Sequence, residues 1–321
     1  MRRPSRLNVR ASSSRRLGSS AFEFNAFYFL REWAPAYLSA CVAASVCMLL
    51  ATAAGLLPPA SFPRLAFLRS RAFPALCCGA LLLLPLAGFH TARVVPGAVD
   101  NASGVAVMHA LGRELSSARA ALASSGDALS PYSPLLRTTE VVLLATSSEE
   151  AGLRGAKRYV ERHAAELHAL PTVVLVLECA ADASALAAVA SEPWPGARHH
   201  PDAVRLLVAA AARAADDESG AERSPASSEL RVISLPIGAT DAAAFTAVRV
   251  PAVALQALSA SPAVLPRAYH TRDDVLAAIS LGAAEAMLDV ARSFAQMYGE
   301  GGLTQQAAGA GARGGGSDGE L

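Results

Sequence analysis

At 321 residues the chain is long enough for one α/β domain with extra segments and too short for two large domains. A formal net charge of +1 excludes the basic footprint of a nucleic-acid binder. Five cysteines that form neither CxxC pairs nor a spaced framework exclude a disulfide-stapled fold, with Cys41, Cys47, Cys77 and Cys78 inside apolar runs and Cys179 alone.

The charge is laid out unevenly. Arg2, Arg3, Arg6, Arg10, Arg15 and Arg16 all precede the first acid, Glu23. Residues 1–36 are thus a basic Ser/Arg-rich segment, which reads either as an organelle transit peptide or as the basic flank of a membrane helix. Residues 37–57 carry no charge, and at about 1.5 Å per residue such a run covers the roughly 30 Å hydrocarbon core of a bilayer. A second uncharged run, 72–89, is interrupted by Pro74, Gly79 and Pro85, which membrane helices tolerate. The linker between them carries Arg64, Arg69 and Arg71, so 37–91 is expected to form a hydrophobic helical hairpin in the lipid bilayer. A pair of buried soluble helices is the alternative.

After Pro96 short apolar runs alternate with Ala-rich helical stretches, the pattern of an α/β fold with a buried sheet. The pattern predicts strands over Thr139–Ala145, Thr172–Leu177, Leu230–Leu235 and Ala252–Leu255, and helices over Ser103–Ala118, Ala151–Leu167, Asp202–Ala215, Asp241–Val248 and Val275–Tyr298. Gly, Ser, Pro and charge mark loops at 124–134 and 215–228. From Gly301 the tail is too poor in apolar residues to fold, so 301–321 is expected to be a disordered Gly-rich tail behind a domain at 92–300.

Four acidic or histidine positions fall at predicted strand ends or in adjoining loops, where open α/β sheets gather ligands. Asp100 sits in PGAVDNASG, a turn that brings the backbone close to whatever the carboxylate holds, and Asn101–Ser103 can cap the next helix. Glu149 and Glu150 follow an apolar strand, and two adjacent carboxylates point in different directions, so one can bind a metal while the other faces its water. As an isolated pair they are also what a helix N-terminus favours. Glu178 ends the run TVVLVLE, where a charge needs solvent or coordination. His270 lies in RAYHTRDDV, with Asp273 and Asp274 near enough to orient an imidazole. Carboxylates plus imidazole on successive strand ends are a donor mix that zinc accepts.

In family order, PGAVDNASG, TSSEEAGLRGAKRYV, VLECA, GATDAAAF and YHTRDDV resemble the M28 zinc peptidases over Pro96–Tyr298. The resemblance implies a three-layer α/β fold, a mixed sheet flanked by helices, and the chemistry of an aminopeptidase acting on peptide substrates. It implies Asp100 as the carboxylate bridging two zinc ions, Glu150 and His270 as ligands of one, Glu178 as a ligand of the other, and Glu149 as general base. It further implies that Asp241 and Asp274 support the site and that the Asp100–Asn101 bond is cis. The family also carries a His-x-Asp motif upstream. Here the only upstream histidine is His90, and Ala92 stands where the aspartate belongs. Two zinc ions are expected, or one where His90 is not a ligand. A single-zinc enzyme like the glutaminyl cyclases, and a non-catalytic membrane scaffold that keeps the fold, stand as the other two readings.

Overall fold

A computed structural model of the chain describes residues 34–56, 77–81, 83, 95–125, 130–217, 230–235, 238–259 and 266–313. The described residues divide into two units, one within 20–95 and the other from Pro96 onward. In the first unit, helix α1 covers Ala34–Leu56, and Gly79 of the helical stretch 77–81 lies against Met48, where a Cβ would meet the sulfur. A membrane span needs about 20 apolar residues in one helix. Among the described residues no helix is long and apolar enough to cross a membrane. The structure therefore lends no support to spans at 37–57 and 72–89, and most of the second run lies outside the described residues. His90 lies outside them as well.

The second unit opens with a tight turn, Ala98–Ala102, leading into α2 (Ser103–Ser125), then α3 (Ser133–Thr138) and α4 (Arg154–Ala169). Strand β1 (Val174–Ala180) follows, then β2 (Ala187–Glu192), β3 (Ala197–Arg198), α5 (Pro201–Asp217) and β4 (Arg231–Ser234). The chain continues through α6 (Ala242–Ala247) and β5 (Ala252–Ala257) to α7 (Leu281–Arg313). β5 pairs parallel to β1 and antiparallel to β2, which in turn pairs parallel to β4 and antiparallel to β3. The result is the mixed sheet expected from the sequence.

Alternation along β5 builds the layers. Val253, Leu255 and Ala257 face Leu206, Leu207 and Ala210 of α5 with Met287, Val290 and Phe294 of α7. Ala252 and Ala254 face Ala156 and Val160 of α4 with Ala244 and Phe245 of α6. Both faces of the central strand are covered, so the carboxyl ends of the parallel pair β1 and β5 open into the loops that carry the acidic residues.

Three expectations are corrected. The run Thr139–Ala145 forms no strand and joins no ladder among the described residues; it is held by side chains, Val141 packing in a cluster with Leu175 and Leu177, and Leu144 in one with Val174 and Val176. Strand β2, AAVASE, is absent from the expected strands because alanine is a poor strand former, and its pairing comes from the neighbours on both sides. Helix α3 starts at the end of a predicted loop, where Pro134 in the first turn is compatible with a helix. Past Gly301 the helix continues through Arg313 after a break at Gly302 (φ 65°).

Candidate metal centre

Asp100 sits in the turn ahead of α2, and its peptide bond to Asn101 is cis. The turn is fastened from below by Asp274, whose carboxylate accepts the N–H groups of Val99 (2.6 Å) and Asp100 (3.2 Å). The backbone carbonyl of Asp274 accepts from Ala98 at 3.1 Å, and Asp274 itself is only 1% exposed. Asp274 thus acts on Asp100 through the backbone, and His270 meets Asp100 through its side chain.

His270 Nε2 lies 2.9 Å from Asp100 Oδ2 and 2.9 Å from Glu150 Oε1. Its ring stacks on Tyr269 at a centroid separation of 3.9 Å, and its φ of 57° places the residue in the left-handed region. Glu150 comes from the turn that leads into α4, where Gly152 and Leu153 both donate to the Glu149 carbonyl. One donor atom each from Asp100, Glu150 and His270 lies within 4.8 Å of the others, and the same holds for Asp100, Glu178 and Cys179.

Glu178 is positioned by Asn101. The Asn101 amide nitrogen donates to the Leu177 carbonyl and to Glu178 Oε2, both at 2.8 Å, and its oxygen accepts from Gly104 N and Cys179 N, both at 3.1 Å. Ser103 completes the clamp, donating to the Val99 carbonyl and accepting from Ala180 N. Helix α2 can approach β1 this closely because residue 104 is glycine: a Cβ there would stand 2.4 Å from both the Leu177 carbonyl oxygen and Asn101 Oδ1. On helix propensity alone Gly104→Ala would add roughly 1 kcal/mol of stability. Here overpacking is expected to reverse the sign, a loss of about 1–3 kcal/mol read from urea unfolding midpoints.

The electrostatics fit a dication. Burial, then repulsion from Glu150, Asp100 and Asp241, pushes the Glu149 carboxyl up to about 9, against the pull of His270. Burial followed by the Asp100 and Glu149 charges raises Glu178 well above the carboxylate range. For His270 burial opposes the charged form, but hydrogen bonds to Asp100 and Glu150 prevail and hold it up at about 10. Asp241 is raised by burial, and its Oδ1 is buried without a hydrogen-bond partner, while Oδ2 accepts from Thr146. Crowded acids around one imidazole, with an orphaned oxygen beside them, are relieved by a bound cation. Carboxylate and imidazole donors in this mix suit zinc.

A pH dependence follows for the metal-free chain. Between the ordinary carboxyl value of 4.5 and about 9, the folded state holds a proton on Glu149 that the unfolded state has lost. The His270 contribution is complete below 6.5 and gone above about 10. Both make the folded state richer in protons, so stability is expected to fall as pH rises across this window, on the order of 1 kcal/mol per pH unit. Unfolding in the presence of a chelator at pH 5, 7 and 9 checks this; stability that climbs from pH 5 to 8 would contradict it.

Sequence reasoning missed a buried network next to Asp241. Glu192 and His199 side chains are both 0% exposed and meet at 2.9 Å. Glu192 also accepts from Thr240 N (3.0 Å) and Thr240 Oγ1 (2.6 Å), and His199 Nδ1 lies 2.8 Å from Thr246 Oγ1. The network pins residue 240, directly ahead of Asp241. Its sequence signal is a glutamate ending an apolar run, as at Glu178, hidden here by the unrecognised strand β2.

Residues 85–295 match the sequence pattern of Peptidase family M28. This chain belongs to peptidase family M28. Among solved structures it is similar to the aminopeptidase from Aneurinibacillus sp. strain AM-1, at 23% identity and a TM-score of 0.44, over 65% of this chain and 41% of that one. It is also similar to BSAP, a zinc aminopeptidase from Bacillus subtilis, at 20% identity and a TM-score of 0.45, over 65% of this chain and 44% of that one. The chain therefore matches less than half the length of either structure. No curated protein sequence matches it. The M28 match contains Asp100, Glu149, Glu150, Glu178, Asp241, His270 and Asp274, the residues gathered around the centre described above, and it also takes in His90.

Proposed function

We propose that this M28 chain is a zinc-dependent exopeptidase that hydrolyses the N-terminal peptide bond of peptide substrates, with Glu149 as general base. The observation that carries the reading is the meeting of Asp100, Glu150 and His270 at one point with Glu149 adjacent in the chain. Asp100, Glu150 and His270 would hold one zinc ion, and Asp100 and Glu178 a second. When bound, zinc supplies Lewis-acid polarisation of the scissile carbonyl.

The chain's own residues do the rest. Asp274 fixes the backbone of Asp100, and Asn101 fixes the Glu178 carboxylate against β1. Tyr269 stacks on the imidazole of His270 and holds the ring that meets Asp100 and Glu150. Glu149 takes the proton of the attacking water on a carboxylate oxygen and delivers it to the leaving amine, a role that needs a group near neutrality in its affinity for protons. A cation would lower the Glu149 pKa from its high metal-free value toward that range.

The test is hydrolysis of an aminoacyl chromogenic substrate by the full chain loaded with zinc, compared with its N-acetylated form. Cleavage of the free amine form alone supports the exopeptidase reading. Equal cleavage of both moves the activity to an endopeptidase, and cleavage of neither overturns the proposal.

A further inference from the structure

We infer that Cys179 is a metal ligand, its thiolate completing with Asp100 and Glu178 the second cation site of the centre. The inference rests on the zinc reading above and supplies the further donor that the family resemblance seeks in an upstream histidine.

Cys179 Sγ and one carboxylate oxygen each of Asp100 and Glu178 lie within 4.8 Å of one another. In a regular strand this could not happen by way of neighbours, since the side chains of 178 and 179 would point to opposite faces. β1 is irregular at this point. Glu178 pairs opposite Gln256 and Ala180 opposite Ala257, leaving Cys179 as an extra residue with φ 47°. A bulge of this kind re-aims a side chain, and here it brings sulfur and carboxylate to the same side. Asn101 fixes both donors at once, accepting the Cys179 N–H while donating to Glu178 Oε2.

The chemistry is compatible, because zinc takes thiolate alongside carboxylate and its affinity gains from a soft donor. Buried free cysteines are ordinarily small apolar fillers, and Cys179, 4% exposed, does cluster with Val99 and Leu258. What separates it from such a filler is the pair of acidic oxygens beside its sulfur. The other four cysteines, Cys41, Cys47, Cys77 and Cys78, belong to the other unit of the chain.

Cobalt(II) titrated into the metal-free full chain tests the assignment without reference to activity. The expected result is visible ligand-field absorption accompanied by a near-ultraviolet sulfur-to-cobalt charge-transfer band. That band should vanish in Cys179→Ser and in Cys179→Ala, and the second ion should bind at least about tenfold more weakly in both. Cys179→Ala places a methyl group beside Ala180 and Ala181 and keeps the test open if the serine variant fails to fold. Ligand-field absorption without a charge-transfer band, or a band that survives in both variants, overturns the assignment and leaves the zinc reading standing. No cobalt absorption at all overturns both.

Discussion

Glu192→Ala is expected to destabilise the chain by about 3–5 kcal/mol, a large share of the roughly 5–15 kcal/mol that holds a domain folded. Glu192 is wholly buried, and its removal leaves His199 Nε2, Thr240 N and Thr240 Oγ1 without the acceptor they share. Each such group carries a desolvation cost of about 1–3 kcal/mol when unpaired, and water has little room to replace the carboxylate. Glu192→Gln keeps the volume and an acceptor oxygen, so it should cost less than the alanine variant. Urea unfolding of the three proteins measures the series. A loss below about 1 kcal/mol for Glu192→Ala would mean that the network is slack.

The second large effect concerns Glu149, where stability and activity should move in opposite directions. The folded protein keeps this carboxyl in a place that disfavours its charge, first by burial and then by Glu150, Asp100 and Asp241. At pH 7 the metal-free chain therefore bears the penalty of holding a proton that the unfolded chain would release. Glu149→Gln removes the ionisable group and should stabilise the metal-free chain by on the order of 1–3 kcal/mol. The same change removes the general base, and kcat should drop by about 10²–10⁴ with KM little altered. Thermal unfolding with chelator and steady-state kinetics with zinc read the two halves. A variant that loses stability and keeps its turnover would remove Glu149 from its proposed role.

How much of this was legible in the sequence depends on the distance over which each signal acts. The acidic positions and His270 sit in short motifs at strand ends, and a charge that ends an apolar run, as at Glu178, is a local contradiction that chemistry must resolve. The positions of α2, α4, α5, α6 and α7 were likewise legible, because alanine-rich periodic stretches between turn signals read directly. The Asn101 clamp was not, since its partners Leu177 and Glu178 lie 76 and 77 residues along the chain. Nor was the bulge at Cys179, which is a property of the register between β1 and β5 and not of either strand alone. Strand β2 escaped because AAVASE carries helix propensity, and its neighbours override that preference. With β2 unseen, Glu192 could not be placed at a strand end. The run Thr139–Ala145 failed in the other direction: its composition is that of a strand, but its backbone finds no ladder among the described residues.

The roles that sequence reading missed share one character, which is to hold other residues. Asn101, Ser103, Glu192 and His199 all fix backbone or carboxylates around the acidic cluster by hydrogen bonds. Site geometry of this kind depends on supports as much as on ligands, because a loose carboxylate forfeits both metal affinity and alignment.

Zinc binding by the metal-free full chain, followed by isothermal titration calorimetry, tests the central claim most directly. Two ions per chain are predicted, with His270→Ala and Asp100→Asn each abolishing tight binding at the Asp100, Glu150 and His270 site. A chain that binds no zinc, or binds it equally well after both substitutions, would contradict the reading of this cluster as a metal centre.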